Sequence, residues 1–324
     1  MTDVNRKASV AMLSIISNTS LVALKLAVGI FIGSVSVISE AIHSGVDLVA
    51  AIIAFFAVKT AGKAADEDHP FGHGKAENIS GTVEALLIFV AALWIIYEAI
   101  HKLMKPTHIE AVGWGVGVML LSAVVNLFVS SRLFKVGRAT DSVALQADAW
   151  HLRTDVYTSA GVMSGLVIYI VGQKLFPGAD IRWIDPVAAI CVALLIIKTA
   201  YDLTVESARD LMDASLPLKE ELWIREYMAG KAETICGFHH LRTRKAGSNR
   251  FVDVHITVDA DMSVEESHTI CEDIAERIKE HFYGSSVHVH VEPCNYTCTD
   301  NCISGCLMGE EYRAMKEKTD NAAE

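Results

Sequence analysis

The sequence contains no HExxH, the helical pair of zinc ligands flanking a general base that marks metallopeptidases. No two cysteines form a C-x-x-C pair, so the common zinc-knuckle spacing is absent as well. Basic residues are the minority, 28 against 39 acidic. That balance argues against nucleic acid as a partner, because phosphates demand a basic surface. Met1–Lys7 is polar and is not followed by a short apolar core with a small-residue cleavage site, so no cleavable signal peptide is expected. Nor is any long apolar segment free of polar residues. A single helix bathed in lipid would not tolerate that, but a bundle with a polar interior does.

Apolar residues make up 52% of the chain and are concentrated before residue 207. Six segments there are long enough to cross a bilayer, which takes about 20 residues. They run over 8–32, 36–60, 78–103, 112–134, 142–172 and 182–206. With the N-terminus inside, the inner loops and flanks hold Arg6, Lys7, Lys59, Lys63, Lys75, Arg132, Lys135 and Arg138. The outer loops hold only Lys102, Lys105, Lys174 and Arg182. The excess of inner cations favours that orientation and returns the C-terminal third to the cytoplasm.

Residues 207–324 carry 22 acidic and 13 basic residues, most of the net charge of −11. There Pro217 opens a polar helix reaching about Gly230, and Phe238–Lys245 reads as a strand ending in the turn Ala246–Asn249. Arg250–Val258 alternates apolar and polar, the mark of a half-buried strand. Ser263 with Glu266 forms a capping box for a helix to about Tyr283, and Ser286–Val291 is a third strand. The expected architecture is therefore an all-α six-helix membrane bundle (1–208), an α+β domain of order αββαβ (209–293), and a flexible cysteine-bearing tail (294–324).

The sharpest signal is a pair of matching polar faces. Asp148, His151 and Asp155 are spaced i, i+3, i+7, as are Glu40, His43 and Asp47. At about 100° per residue each set shares one helix face. A carboxylate at the centre of a spanning helix costs roughly 2.5–3.5 kcal/mol on insertion scales. Two such faces are best neutralised by meeting around one divalent cation. His43, Asp47, His151 and Asp155 supply two imidazoles and two carboxylates, a tetrahedral set that suits Zn²⁺. Paired interhelical hydrogen-bond clusters are the plainer alternative.

Three further groups stand out. In ADEDHPFGHGKAE, Asp66, His69 and His73 lie in a stretch that Pro70, Gly72 and Gly74 keep from being a regular helix. They could wrap an ion, or the stretch could be a simple polar turn. His239, His240, His255, His268, His288 and His290, all in the C-terminal domain, are six of the 13 histidines in the chain. Solvated surface imidazoles are the alternative reading. Cys294, Cys298, Cys302 and Cys306 repeat every four residues, as accessory metal thiols or as plain reduced cysteines of a cytosolic tail.

The chain resembles the cation diffusion facilitators over about residues 8–293. The resemblance rests on GSVSVISEAIHSGVD, DHPFGHGKAE, DAWHLRTD, DLMDASLP, LRTRKAGSNRFVDVHITV and VHVHVEP. It implies a homodimeric metal/proton antiporter with six transmembrane helices and a cytoplasmic, metallochaperone-like (ferredoxin-like) domain. Its transport site would be His43, Asp47, His151 and Asp155, and its loop site Asp66, His69 and His73. A cytoplasmic metal site would use His239, His255, His290 and Glu292, with His268 nearby. Lys75 and Asp213 match a salt bridge that interlocks the subunits.

There are departures from the family pattern. Some members carry Asp where His43 stands, and His there goes with preference for zinc over cadmium. The fourth and fifth helices lack a His-rich loop between them, and Arg153 is an unexpected cation near His151, although about 200° around the helix from it. Glu292 is an acidic match one methylene longer.

The expected function is Zn²⁺/H⁺ antiport from the bacterial inner (cell) membrane, with regulatory zinc at the cytoplasmic domain and both termini cytoplasmic. The protein is not expected to be an enzyme, since four ligands leave no open metal position for water. A transporter for Co, Cd, Fe or Mn, or a non-transporting membrane metal sensor or scaffold, remains the alternative.

Overall fold

The computed structural model describes residues 3–32, 35–104, 113–175, 183–294 and 304–308. Two compact units divide the chain, Met1–Leu211 and Met212–Glu324.

The first unit consists of six long helices: α1 (Asp3–Ile32), α2 (Val35–Ala61), α3 (Lys75–Met104), α4 (Gly113–Ala139), α5 (Val143–Leu175) and α6 (Ile184–Leu211). Most run past the apolar segment that predicts them, because a helix ends at its cap and not where hydropathy falls. Among the described residues α1, α2, α3, α4 and α6 hold stretches long and apolar enough to cross a membrane. α5 carries Asp148, Arg153 and Asp155, and packs against α2, α3, α4 and α6. Its polar face is thus covered by protein, which is the condition for charge at membrane depth.

Small residues let these helices approach closely. One core joins α1, α2, α4 and α5 through Ala11, Ala57, Leu133, Leu145, Ala149 and Leu152. A second joins α3 to α6 through Ala85, Ile88, Ala92, Ile196 and Ala200. A Cβ on Gly81 would stand 2.8 Å from Ser207 Oγ and 2.9 Å from Val143 Cγ1, so the α3–α6–α5 crossing needs glycine there. The α4–α5 connection is three residues long, with Asp141 at φ 50°.

The second unit runs α7 (Leu218–Ala229), β1 (Gly237–Ala246), β2 (Asn249–Asp259), α8 (Val264–His281) and β3 (Ser286–Cys294), the αββαβ order expected. The sheet order is β1-β2-β3. The β1–β2 hairpin is antiparallel, and β3 returns parallel to β2 after the α8 crossover. Ser263 caps α8 in a complete capping box with Glu266. Val252, Val254 and Ile256 of the sheet bury fully with Ile224 and Met228 of α7 and Ile274 and Ile278 of α8. Each such aliphatic side chain contributes about 1.5–3 kcal/mol on burial.

The tail expected to be flexible is held at one place. Phe238 N–H donates to the Gly305 carbonyl at 3.0 Å, and Leu307 N–H to the Cys236 carbonyl at 2.9 Å. Residue 306 thereby bridges Gly237 in antiparallel fashion, and Leu307 packs on the domain core. Cys298 and Cys302 lie outside the described residues.

Candidate metal centres

Asp47 comes from α2, and His151 and Asp155 come from α5 one turn apart. His151 Nε2 faces Asp47 Oδ1 at 2.9 Å. One ligand atom from each of Asp47, His151 and Asp155 lies within 4.8 Å of the others, so a single cation fits among them. Asp47 and His151 are only 3% and 5% exposed. His43 sits one turn before Asp47 on α2, as the tetrad requires, but its side chain lies outside the described residues, as does that of Glu40.

Around these ligands the bundle is unusually polar. Asn126 of α4 donates to Asp155 at 3.5 Å. Asp148, one turn before His151, is fully buried beside Ser14. Glu84 of α3 is fully buried too, with one oxygen accepting from Ser80 at 3.0 Å. Its other oxygen and His151 Nδ1 have no hydrogen-bond partner among the described residues. Nearer the start of α3, Lys7 of α1 donates to Glu77 at 2.9 Å, and Ser142 donates to the same carboxylate. Lys25 donates to Ser44 at 2.8 Å across α1 and α2.

Arg153 does not enter the cluster. It donates to Ser130 and Ser131 of α4, both at 3.2 Å, and its guanidinium lies 5.5 Å from the Phe134 ring. The roughly 200° that separates it from His151 by helical periodicity turns it to α4.

The second cluster is formed in the loop between α2 and α3. Asp66 Oδ1 accepts from the His69 backbone N–H at 2.7 Å and faces His69 Nδ1 at 3.2 Å. Asp66 Oδ2 faces His73 Nε2 at 3.3 Å, and the two imidazole rings lie 4.4 Å apart between centroids, tilted by 41°. The three ligand atoms fall within 4.8 Å. Gly72, at φ 79°, makes the turn that brings His73 back. The backbone hydrogen bond from His69 holds the Asp66 carboxyl below the ordinary carboxylate value, so it is ionised and ready for a cation.

The third cluster is written in strand register. His239 pairs with His255 across β1–β2, and His255 with His290 across β2–β3. Partnered residues project from the same face. Glu292, two residues on from His290, shares that face, accepting from His255 Nδ1 at 2.8 Å and facing His239 Nε2 at 3.2 Å. His239, His255 and Glu292 are within 4.8 Å of one another. His290 stands slightly outside, 3.8 Å from Glu292.

Burial pushes the His239 imidazole below its ordinary value, favouring the neutral, ligating form. Burial raises Glu292, but the His255 hydrogen bond and the neighbouring imidazoles outweigh it and bring the carboxyl down. His268 is not drawn in. It lies exposed on α8, facing Glu272 at 3.4 Å. His240, which the ligand set omits, is brought beside His239 and His255 at 5.0 and 5.2 Å between ring centroids, by a β-bulge with His240 at φ 49°. Nothing in the spacing of the sequence announces that bulge. Lys75 donates to the Leu211 carbonyl at 3.3 Å, and Asp213 faces Arg244 at 3.4 Å.

Known proteins resemble both parts of the chain. The model of the cation efflux transmembrane domain matches residues 11–212, and that of the cation efflux protein cytoplasmic domain matches residues 219–294. An uncharacterised transporter of Synechocystis is 37% identical over 284 residues, covering 87% of this chain and 89% of its own. The cation-efflux pump FieF of Salmonella schwarzengrund is 28% identical, over 87% and 91%. A solved structure of CzrB in its zinc form, 30% identical, covers 26% of this chain and 97% of its own with a TM-score of 0.25.

Proposed function

This chain belongs to the cation diffusion facilitator family of cation efflux transporters, and we propose that it moves Zn²⁺ out of the cytoplasm in exchange for protons. It is an integral membrane protein. The observation that carries the zinc reading is the convergence of Asp47, His151 and Asp155 within 4.8 Å in the interior of the helix bundle. With His43 one turn before Asp47, the donors are two imidazoles and two carboxylates. Mixed nitrogen and oxygen donors suit zinc better than magnesium or calcium, which prefer oxygen throughout.

In this mechanism Zn²⁺ enters from the cytoplasm and is held by neutral His43 and His151 with ionised Asp47 and Asp155. The bundle rocks to open outward. Protons arriving from outside compete for the imidazoles, since a protonated imidazole cannot ligate. The metal leaves and the protons return inward with the empty site. Arg153, anchored on α4, adds no cation to the pocket.

The C-terminal cluster serves as a regulatory site. Its domain is of the dimerising cytoplasmic type, which supports a homodimer; in this reading both termini are cytoplasmic and the membrane is a bacterial inner membrane. Zinc at His239, His255, His290 and Glu292 would neutralise the carboxylate and draw the imidazoles together, reporting cytosolic metal to the bundle. The Asp66–His69–His73 loop is a surface site that loads or senses the same ion.

The test is metal-stimulated proton flux in proteoliposomes, wild type against Asp155→Ala, with Zn²⁺, Cd²⁺, Fe²⁺ and Mn²⁺ in turn. Flux with Zn²⁺ that vanishes in the variant supports the antiporter. Flux greatest with another metal moves the substrate. No flux with any metal, alongside tight binding at the C-terminal cluster, favours a sensor.

A further inference from the structure

The four tail cysteines repeat every fourth residue, but the structure gathers thiols in another way. Cys236 immediately precedes β1, and its N–H donates to the Thr257 carbonyl near the end of β2 at 2.7 Å. Cys294 ends β3, where its register partner is Asp259, the last residue of β2. Residues 304–308 run along the outer edge of β1, which sets Cys306 opposite Gly237. Three thiols from well-separated parts of the sequence therefore surround one end of the sheet. None of the three is in a disulfide, and each is half-buried.

Cys294, Cys306 and Asp259 all lie near enough to the Cys236 thiol to act on it electrostatically. The backbone has also been cleared for the approach. A Cβ on Gly305 would overlap the Phe238 carbonyl at 1.6 Å, and one on Gly237 would stand 2.8 Å from the Gly305 oxygen. Two glycines face each other where the segment crosses β1, and Leu307 is packed on the core beyond them.

We propose that Cys236, Cys294 and Cys306 form a thiolate site for a thiophilic cation (Zn²⁺, Cd²⁺ or Cu⁺), on which the C-terminal segment closes. Soft sulfur donors select these ions over magnesium, calcium or manganese. Each thiol gives its proton to water as its sulfur–metal bond forms, so binding releases protons. Burial and the neighbouring Cys294 push the Cys236 thiol up to about 11, so it stays protonated until a cation displaces the proton. Three thiolates beside Asp259 would repel one another, so it is the deprotonated form of the cluster that needs a cation. The sulfurs do not yet meet the 4.8 Å span of the other three clusters. Closing on a metal would thus draw residues 304–308 inward and clamp them on β1. The site uses none of the ligands assigned to transport or to the histidine cluster.

The experiment uses the full-length, reduced protein in detergent, titrated with Cd²⁺ and followed by ultraviolet sulfur-to-cadmium charge-transfer absorption. Histidine and carboxylate ligands give no such band. A Cys298→Ser/Cys302→Ser background confines the tail signal to Cys294 and Cys306. The expected result is a saturable band that Cys236→Ser weakens, with a loss of affinity greater than the roughly 10–100-fold that loss of a mere supporting group costs. Cys271→Ser leaves it unchanged, and Asp155→Ala keeps it, which separates this site from the transport reading. No band, or a band insensitive to Cys236→Ser, overturns the proposal.

A second measurement needs no variant. Cd²⁺ should slow alkylation of Cys236, Cys294 and Cys306 together, read by mass spectrometry, while Cys271 reacts as before. Uniform reactivity, or a Cys236–Cys294 disulfide that forms regardless of metal, counts against a metal site.

Discussion

His151 Nε2 and Asp47 Oδ1 lie 2.9 Å apart across the contact between α5 and α2, with both side chains almost fully buried. In the absence of a cation, each satisfies a polar atom of the other. A metal must replace that hydrogen bond, so binding and the packing of α2 on α5 are coupled.

The first prediction concerns that pair. Asp47→Ala removes both a ligand and the partner of His151. Zinc affinity at the bundle site should fall by more than the roughly 10–100-fold that loss of a supporting group costs. Competition against a chromophoric chelator measures it. Asp66→Ala, in the exposed loop, should leave that affinity unchanged.

A second prediction follows from Lys7 and Glu77, which are 6% and 1% exposed and 2.9 Å apart. Glu77→Ala takes away the carboxylate that Lys7 and Ser142 both donate to. Removing one partner of a buried pair costs about 3–5 kcal/mol. A clear drop in thermal stability in detergent is expected. The double variant Lys7→Met/Glu77→Leu should recover part of it, since no charge is then left buried.

A third concerns pH at the histidine cluster. His239 is lowered from 6.5 and Glu292 from 4.5, so the folded cluster takes protons less readily than the unfolded chain. The direction is the same for both groups. The stability from Glu292 is present above pH 4.5 and lost as pH falls through its lower folded value. Neutral His239 persists below pH 6.5, so zinc bound there should survive mild acidification, with a midpoint of release under 6.5. Zinc release from the full-length protein followed against pH checks this, with Asp155→Ala used to silence the bundle site. A midpoint above 6.5 would contradict the burial argument.

A fourth tests the docked segment. Gly305→Val places a side chain where a Cβ alone would stand 1.6 Å from the Phe238 carbonyl. The segment should be expelled and the Phe238 and Leu307 amides should exchange faster by hydrogen–deuterium exchange. The sheet itself, whose core residues lie in α7, α8 and the strands, should stay protected.

Local patterns written in the chain were enough for much of the fold. The i, i+3, i+7 spacing of Asp148, His151 and Asp155 places all three on one face of α5, because a helix repeats every 3.6 residues whatever surrounds it. Alternation over Arg250–Val258 produced β2, and Ser263 with Glu266 fixed the start of α8. The same periodicity turned Arg153 to α4. These features depend only on backbone geometry within one element.

What the chain could not determine alone is which elements meet. Asp47 and His151 are brought together by helix packing between distant segments, and Glu84 and Asp148 are fully buried near enough to act on one another, which no spacing reveals. His240 joined the histidine group through a bulge, and His268 stayed out of it on α8. Cys236 shows this most plainly. The four-residue repeat groups Cys294 and Cys306 with Cys298 and Cys302, whereas strand register and two facing glycines bring Cys236 to Cys294 and Cys306. Periodicity is a property of the local chain, but register and packing follow from burying distant apolar faces against one another. The tertiary structure therefore decided the composition of each candidate site, while the sequence by itself determined the faces from which those sites are built.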